Sequence, residues 1–126
     1  MTEGWRRGGD AGRAAHLSGR AAEAAVERLY VARGLTVAAR RWRGEAGEID
    51  LVLRDGAGLV FVEVKRSATH ARAAHALRPA QAARLMASAE AVAGTEPAGL
   101  LTEMRFDVAL VDGAGRVEIV ENALGP

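Results

Sequence analysis

Two acids and a lysine, Asp50, Glu63 and Lys65, are the residues whose types and spacing could do chemistry together. Side chains two apart on a strand share a face, so Glu48 and Asp50 are expected to point one way and Glu63 and Lys65 to emerge together. A hairpin centred between Gly56 and Ala57 sets Asp50 opposite Glu63 and Glu48 opposite Lys65. Opposed positions lie about 5 Å apart at Cβ, where two carboxylates repel unless a cation or a proton sits between them. A hard divalent cation such as Mg²⁺ or Mn²⁺ suits so sparse a set, because it takes one or two carboxylates and completes its shell with water and phosphate oxygens. In isolation, Glu-x-Lys is ordinarily a solvated salt bridge. Here the preceding residues, Val60, Phe61, Val62 and Val64, describe a buried strand, where charge is costly. With Asp50 at the matching register, the site reading is preferred over a purely structural ion-pair hairpin.

The elements that must position these residues are legible from periodicity and punctuation. Ser18 is a candidate N-cap for a helix carrying Ala22, Val26, Leu29 and Tyr30 at helical spacing, and Gly34 stops it. Residues 35–43 form a strand and residues 44–47 a turn; Ile49, Leu51 and Leu53 alternate in a second strand, and residues 59–64 make a third. Pro79 fits the first turn of a second helix ending at Gly94. Residues 106–111 and 117–120, split by Asp112-Gly113-Ala114-Gly115, close the chain as a hairpin-like pair. The order is αβββαββ, an α/β arrangement without internal repeat. Residues 1–17 are expected to be a flexible basic arm, and residues 18–126 a single domain.

Composition sets limits. Of 126 residues, 28 are alanine and only 4% aromatic, so the core must be thin. The absence of cysteine excludes thiolate zinc sites, disulfides and a cysteine nucleophile. No stretch is long and apolar enough for a membrane helix, and the start is not signal-like, so a cytoplasmic protein is expected. Gly56-Ala57-Gly58 lacks the rest of a phosphate-binding glycine motif, and His16, His70 and His75 match no zinc spacing. Sixteen of the 17 cationic residues are arginine, which singles out Lys65: a compact ammonium is kept where a planar fork does not substitute.

Net charge is only +1, but residues 1–43 sum to +5 and residues 44–126 to −4. Two basic segments fit a nucleic-acid surface: Arg40, Arg41, Trp42 and Arg43, and the run Arg66, Arg72, Arg78 and Arg84, within which no acid occurs from Lys65 to Ala89. Arginines neutralise phosphates and Trp42 could stack on an unpaired base. The competing reading for either segment is a solvated face.

Gly47-Glu48-Ile49-Asp50-Leu51 followed by Leu59-Val60-Phe61-Val62-Glu63-Val64-Lys65 resembles the YraN family of uncharacterised predicted endonucleases, themselves similar to Holliday-junction resolvases. The resemblance extends through residues 19–25, Arg105-Phe106-Asp107-Val108 and Glu121-Asn122-Ala123-Leu124. It implies a restriction-endonuclease-like, PD-(D/E)XK core: a mixed central sheet flanked by helices. It also implies Asp50 and Glu63 as metal ligands, Val64 as a main-chain carbonyl ligand, Lys65 as the group that positions the attacking water, and Glu23 as an acid on the first helix facing the site. Glu48 is a candidate accessory acid. Arg41 stands where the family often has Asn, and Arg78-Pro79 replaces a stretch that often carries Lys. The expected activity is Mg²⁺- or Mn²⁺-dependent phosphodiester hydrolysis. The expected partner is nucleic acid, DNA before RNA, with no membrane and with a homodimer left open. The alternative is a nucleic-acid-binding or partner-docking module that keeps the fold without cleaving.

Overall fold

A computed structural model of the chain describes residues 18–66 and 78–124; the arm expected over residues 1–17, Arg72 and the three histidines lie outside them. Helix α1 (Gly19–Ala32) starts where the Ser18 hydroxyl accepts the Ala21 N–H at 3.0 Å, satisfying one of the donors a helix start leaves open. It stops at Gly34, whose φ of 98° is open to glycine and strained for other residues. Strands β1 (Thr36–Gly44), β2 (Gly47–Asp55) and β3 (Gly58–Arg66) follow as a meander. Helix α2 (Pro79–Ala93) opens on proline, whose missing N–H costs nothing in a first turn. A short 3-10 turn (Gly99–Leu101) then leads to β4 (Met104–Val111) and β5 (Val117–Val120). The order is the expected αβββαββ with that turn added.

The five strands lie in sequence order across one sheet, antiparallel except for β3 and β4, which run parallel because the chain between them carries α2 across a face. The sheet is therefore mixed. Its two faces are covered by different helices. Ala22, Val26 and Tyr30 of α1 pack on Leu51, Leu53, Val60, Val62, Ala109 and Val111. Leu85 and Ala89 of α2 pack on Ile49, Val52, Leu59, Phe61 and Phe106, with the Phe61 and Phe106 rings stacked at 5.4 Å. Alanines at the buried helix positions are the thin core in physical form: they let each helix approach closely with little side-chain volume between.

One buried charge holds the α1 side together. Asp107, fully buried on β4, accepts the Tyr30 hydroxyl at 2.7 Å, two guanidinium N–H groups of Arg105 at 2.9 Å each and the Asn122 N–H at 3.0 Å. Four donors on one carboxylate tie α1, β4 and the turn after β5 to one point, and burial with the adjacent carboxylate pushes the Tyr30 phenol upward. Tyr30→Phe removes one of those donors without opening a cavity. It is expected to lower unfolding free energy by about 1.5–3 kcal/mol, the range for a bond to a charged group, at unchanged slope in urea. A loss under about 0.5 kcal/mol would mean that Arg105 and Asn122 satisfy Asp107 without it.

Candidate functional site

The site forms where β2 and β3 part. Their cross-strand pairs run from Asp55↔Gly58 to Leu51↔Val62, the register expected from the sequence, and the residues that follow the last pair on the two strands are Asp50 and Glu63. There the ladder gives way to a side chain: Asp50 Oδ2 accepts the Val64 N–H at 2.8 Å, the donor that a continuing strand would have given to a carbonyl. The Asp50 and Glu63 carboxyl groups are close enough for each to act on the other's proton. Glu63 is held from its other side by Gln81 of α2, whose Nε2 donates to Oε2 at 2.8 Å. Lys65 lies two residues further along β3, and its charge acts on Glu63.

The electrostatics follow from that packing. Burial, reinforced by the neighbouring Asp50 charge, pushes the Glu63 carboxyl up to about 7 against the opposing pull of Lys65 and Gln81. Burial also raises Asp50; the Val64 N–H opposes the shift, and the Glu23 and Glu48 charges add to it. The pair thus holds a proton well above the ordinary carboxylate range, which is what two adjoining half-buried acids do without a cation between them. Two hard oxygen donors with a shared charge deficit fit Mg²⁺ or Mn²⁺. Among the described residues, no group of three or more His, Cys, Asp or Glu side chains is placed to hold a metal, so the fit rests on Asp50 and Glu63 with main-chain and solvent oxygens.

Two sequence expectations need correction. Glu48 does not face Lys65, because the strands have already separated; it pairs instead across β1–β2 with Arg43, Nε to Oε2 at 3.4 Å. Nor do Glu48 and Asp50 share a hollow. Glu48 borders a small one of about 150 Å³ with Glu63, Gln81 and Arg84 on the α2 side, whereas Asp50 borders one of about 430 Å³ with Glu23 and Arg41 against α1. The cause is a slip in the alternation of both strands. Ile49 and Val52, three apart, enter the α2-side cluster together, as do Ala39 and Trp42 on β1, while Leu51 and Leu53 face α1. The slip is centred on Arg41, the β1 residue facing Asp50, whose φ is 49°.

The basic segments are distributed unevenly. Arg40 reaches α1 and grips Glu27 with two bonds, at 2.7 and 2.9 Å, while Arg41 holds Glu23 through Nε at 2.9 Å. Trp42 is half-buried against the α2-side cluster, and its indole lies over Gly44 so closely that only glycine fits there. Arg66 ends β3, Arg78 precedes α2 and Arg84 borders the smaller hollow beside Glu63. Glu23 is therefore near the acidic pair and held by Arg41. Gln81 was not singled out from the sequence, where nothing marks one polar helix residue over another. Asp107 did carry a signal, an acid inside the apolar run 106–111.

The model of the uncharacterised protein family UPF0102 matches residues 22–111, the stretch that contains all but the first three residues of α1, the meander, α2 and β4. The chain belongs to that family. It is the YraN-like group that the paired Gly47–Leu51 and Leu59–Lys65 motifs resemble. A UPF0102 protein of Roseobacter denitrificans is 55% identical over 114 residues, covering 90% of this chain and 88% of its own length. One of Ruegeria pomeroyi is 58% identical over 110 residues, covering 87% and 89%. One of Cereibacter sphaeroides is 54% identical over 112 residues, covering 89% and 96%. The UPF0102 match supplies relatives of the same size and no activity. No helix among the described residues is long and apolar enough to cross a membrane.

Proposed function

We propose that the chain is a divalent-metal-dependent nuclease of PD-(D/E)XK type that hydrolyses phosphodiester bonds, with DNA as its substrate. The observation that carries this reading is the contact between the Asp50 and Glu63 carboxyl groups at the parting of β2 and β3, with Lys65 two residues on. Asp50 and Glu63 would hold the cation, with the Val64 carbonyl and, once freed from Arg41, Glu23 as further oxygens. The bound cation would supply a Lewis acid that offsets charge on the phosphate. The remaining work falls to side chains. The Val64 N–H fixes Asp50 and Gln81 fixes Glu63, so neither carboxylate has to be ordered when substrate arrives. The Lys65 ammonium orients the attacking water and stabilises the charge that builds on the phosphate oxygens. Arg66, Arg78 and Arg84, together with Arg40, Arg41 and Arg43, would flank the site as phosphate contacts, with Trp42 to stack on an unpaired base; Arg72, outside the described residues, is proposed as a further phosphate contact from its sequence alone.

A second reading, a nucleic-acid-binding module that does not cut, is favoured by one observation: the acids in reach of a cation number two rather than three among the described residues. A panel of end-labelled DNA structures (junction, flap, duplex, single strand) incubated with Mn²⁺ separates the two. Cleavage of at least one structure supports the nuclease; binding without cleavage supports the module. The same preparation gives a pH test. Because a proton and a cation compete for the Asp50–Glu63 pair, Mn²⁺ affinity measured by calorimetry should rise with pH and level off above about 7, with proton release on binding below it. A pH-independent affinity would place the metal elsewhere.

A further inference from the structure

Arg40 and Arg41 are consecutive strand residues, and consecutive strand side chains point to opposite faces. Both nevertheless reach α1, Arg40 to Glu27 and Arg41 to Glu23. Arg41 does so because its backbone adopts φ 49°, a left-handed conformation that is strained for a residue carrying a Cβ. That conformation brings its guanidinium to the 430 Å³ hollow shared by Glu23 and Asp50, with Nη2 lying 3.7 Å from the position a Cβ would take on Gly19. The two ion pairs differ in their bonding. Arg40, 65% exposed, holds Glu27 with two bonds, whereas Arg41, 44% exposed, holds Glu23 through Nε alone. A solvent-exposed pair held by one bond is weak, and a phosphate that engages the guanidinium fork with two bonds competes with it directly.

We propose that Arg41 is a positioning residue that holds Glu23 away from the Asp50–Glu63 pair until a phosphodiester of the nucleic acid takes its guanidinium, whereupon Glu23 becomes the third carboxylate of the metal site. The inference rests on the metal-site reading of Asp50 and Glu63 and adds an order of events: substrate strengthens the hold on metal. By linkage, metal strengthens the hold on substrate by the same factor. A nuclease built this way carries its full ligand set only when a phosphate backbone lies in the α1-side hollow.

The test is Mn²⁺ affinity by calorimetry on the full chain, alone, with saturating inorganic phosphate, and with a cleavage-resistant phosphorothioate duplex. For wild type, the duplex should raise Mn²⁺ affinity about fivefold, the scale of one exposed ion pair. A free phosphate that produces the same gain would show that the anion alone operates Arg41; a gain confined to the duplex would show that the polymer must place it. Arg41→Asn, which suits the left-handed backbone and so preserves the fold, should bind Mn²⁺ about fivefold more tightly without nucleic acid and gain little on adding it. Arg41→Lys should keep part of the duplex-dependent gain, and Glu23→Gln should abolish it. The proposal is overturned if Arg41→Asn binds Mn²⁺ as wild type does, or if Glu23→Gln retains the gain. Asp50→Asn distinguishes the two levels: metal binding that survives it removes the site itself, whereas loss there with an unaltered Arg41→Asn removes only the role of Arg41.

Discussion

Glu63→Gln is expected to abolish Mn²⁺ binding and to lower any DNA cleavage by about 10²-fold or more, a barrier increase of about 2.7 kcal/mol, while making the protein more stable above neutral pH. The two effects share one cause. In the folded chain the Glu63 carboxyl keeps its proton up to about 7, whereas in the unfolded chain it titrates near its ordinary 4.5. Between those values the folded state binds more protons than the unfolded one, so stability falls as pH rises through the window and is lowest above it. Glutamine has no proton to lose, and its amide also ends the repulsion with Asp50. Urea unfolding at about pH 5 and about pH 8 should show wild type losing stability between them and Glu63→Gln losing less. Asp50→Asn should remove metal binding likewise, with its amide retaining an oxygen for the Val64 N–H. Parallel stability curves for wild type and Glu63→Gln, or undiminished Mn²⁺ binding, would refute the assignment.

Lys65→Arg is expected to lower turnover by about tenfold or more, or about 1.4 kcal/mol, with metal and DNA binding retained. Charge is conserved in this change. What is lost is a compact donor that can point at one water, replaced by a longer planar fork. Lys65→Ala should also keep the metal and the nucleic acid and lose turnover. If Lys65 served only to balance Glu63 electrostatically, arginine would do so equally well and the substitution would be nearly silent in single-turnover cleavage. That outcome, together with full activity in Lys65→Ala, would remove Lys65 from the catalytic group.

What the sequence made legible is what is local. Ser18, Gly34 and Pro79 mark helix ends through interactions with their own neighbours, and the turn at Gly56-Ala57 fixes the β2–β3 register. Asp50 and Glu63 could therefore be brought together before any tertiary contact was known. The slip at Arg41 could not, because strand alternation is a rule about regular backbone and Arg41 leaves it. Its consequences, Ile49 turning to the α2 side and Glu48 parting from Asp50, are inherited from that one φ angle. Gln81 was invisible for a different reason: its contact with Glu63 depends on how α2 is rotated above the sheet, and its helix presents few large side chains to announce that rotation. The arginines at 40, 41 and 43 show the remaining limit. Basic spacing reveals affinity for anions, but not that each anion met in the fold is a glutamate of the chain itself.

Among the described residues, strand β1 is also a border of the sheet with no further strand beside it, nine residues long, and long open borders invite other chains to continue the ladder into aggregates. This one is a poor template. An extra residue at Ala38 shifts its register, Arg41 breaks its pleat three residues later, and the Arg40, Arg41 and Arg43 side chains, each paired with a glutamate, line it with charged groups that an added strand would have to accommodate. The distortion that brings Arg41 to Glu23 thus also interrupts the hydrogen-bonding row along which a second sheet would grow.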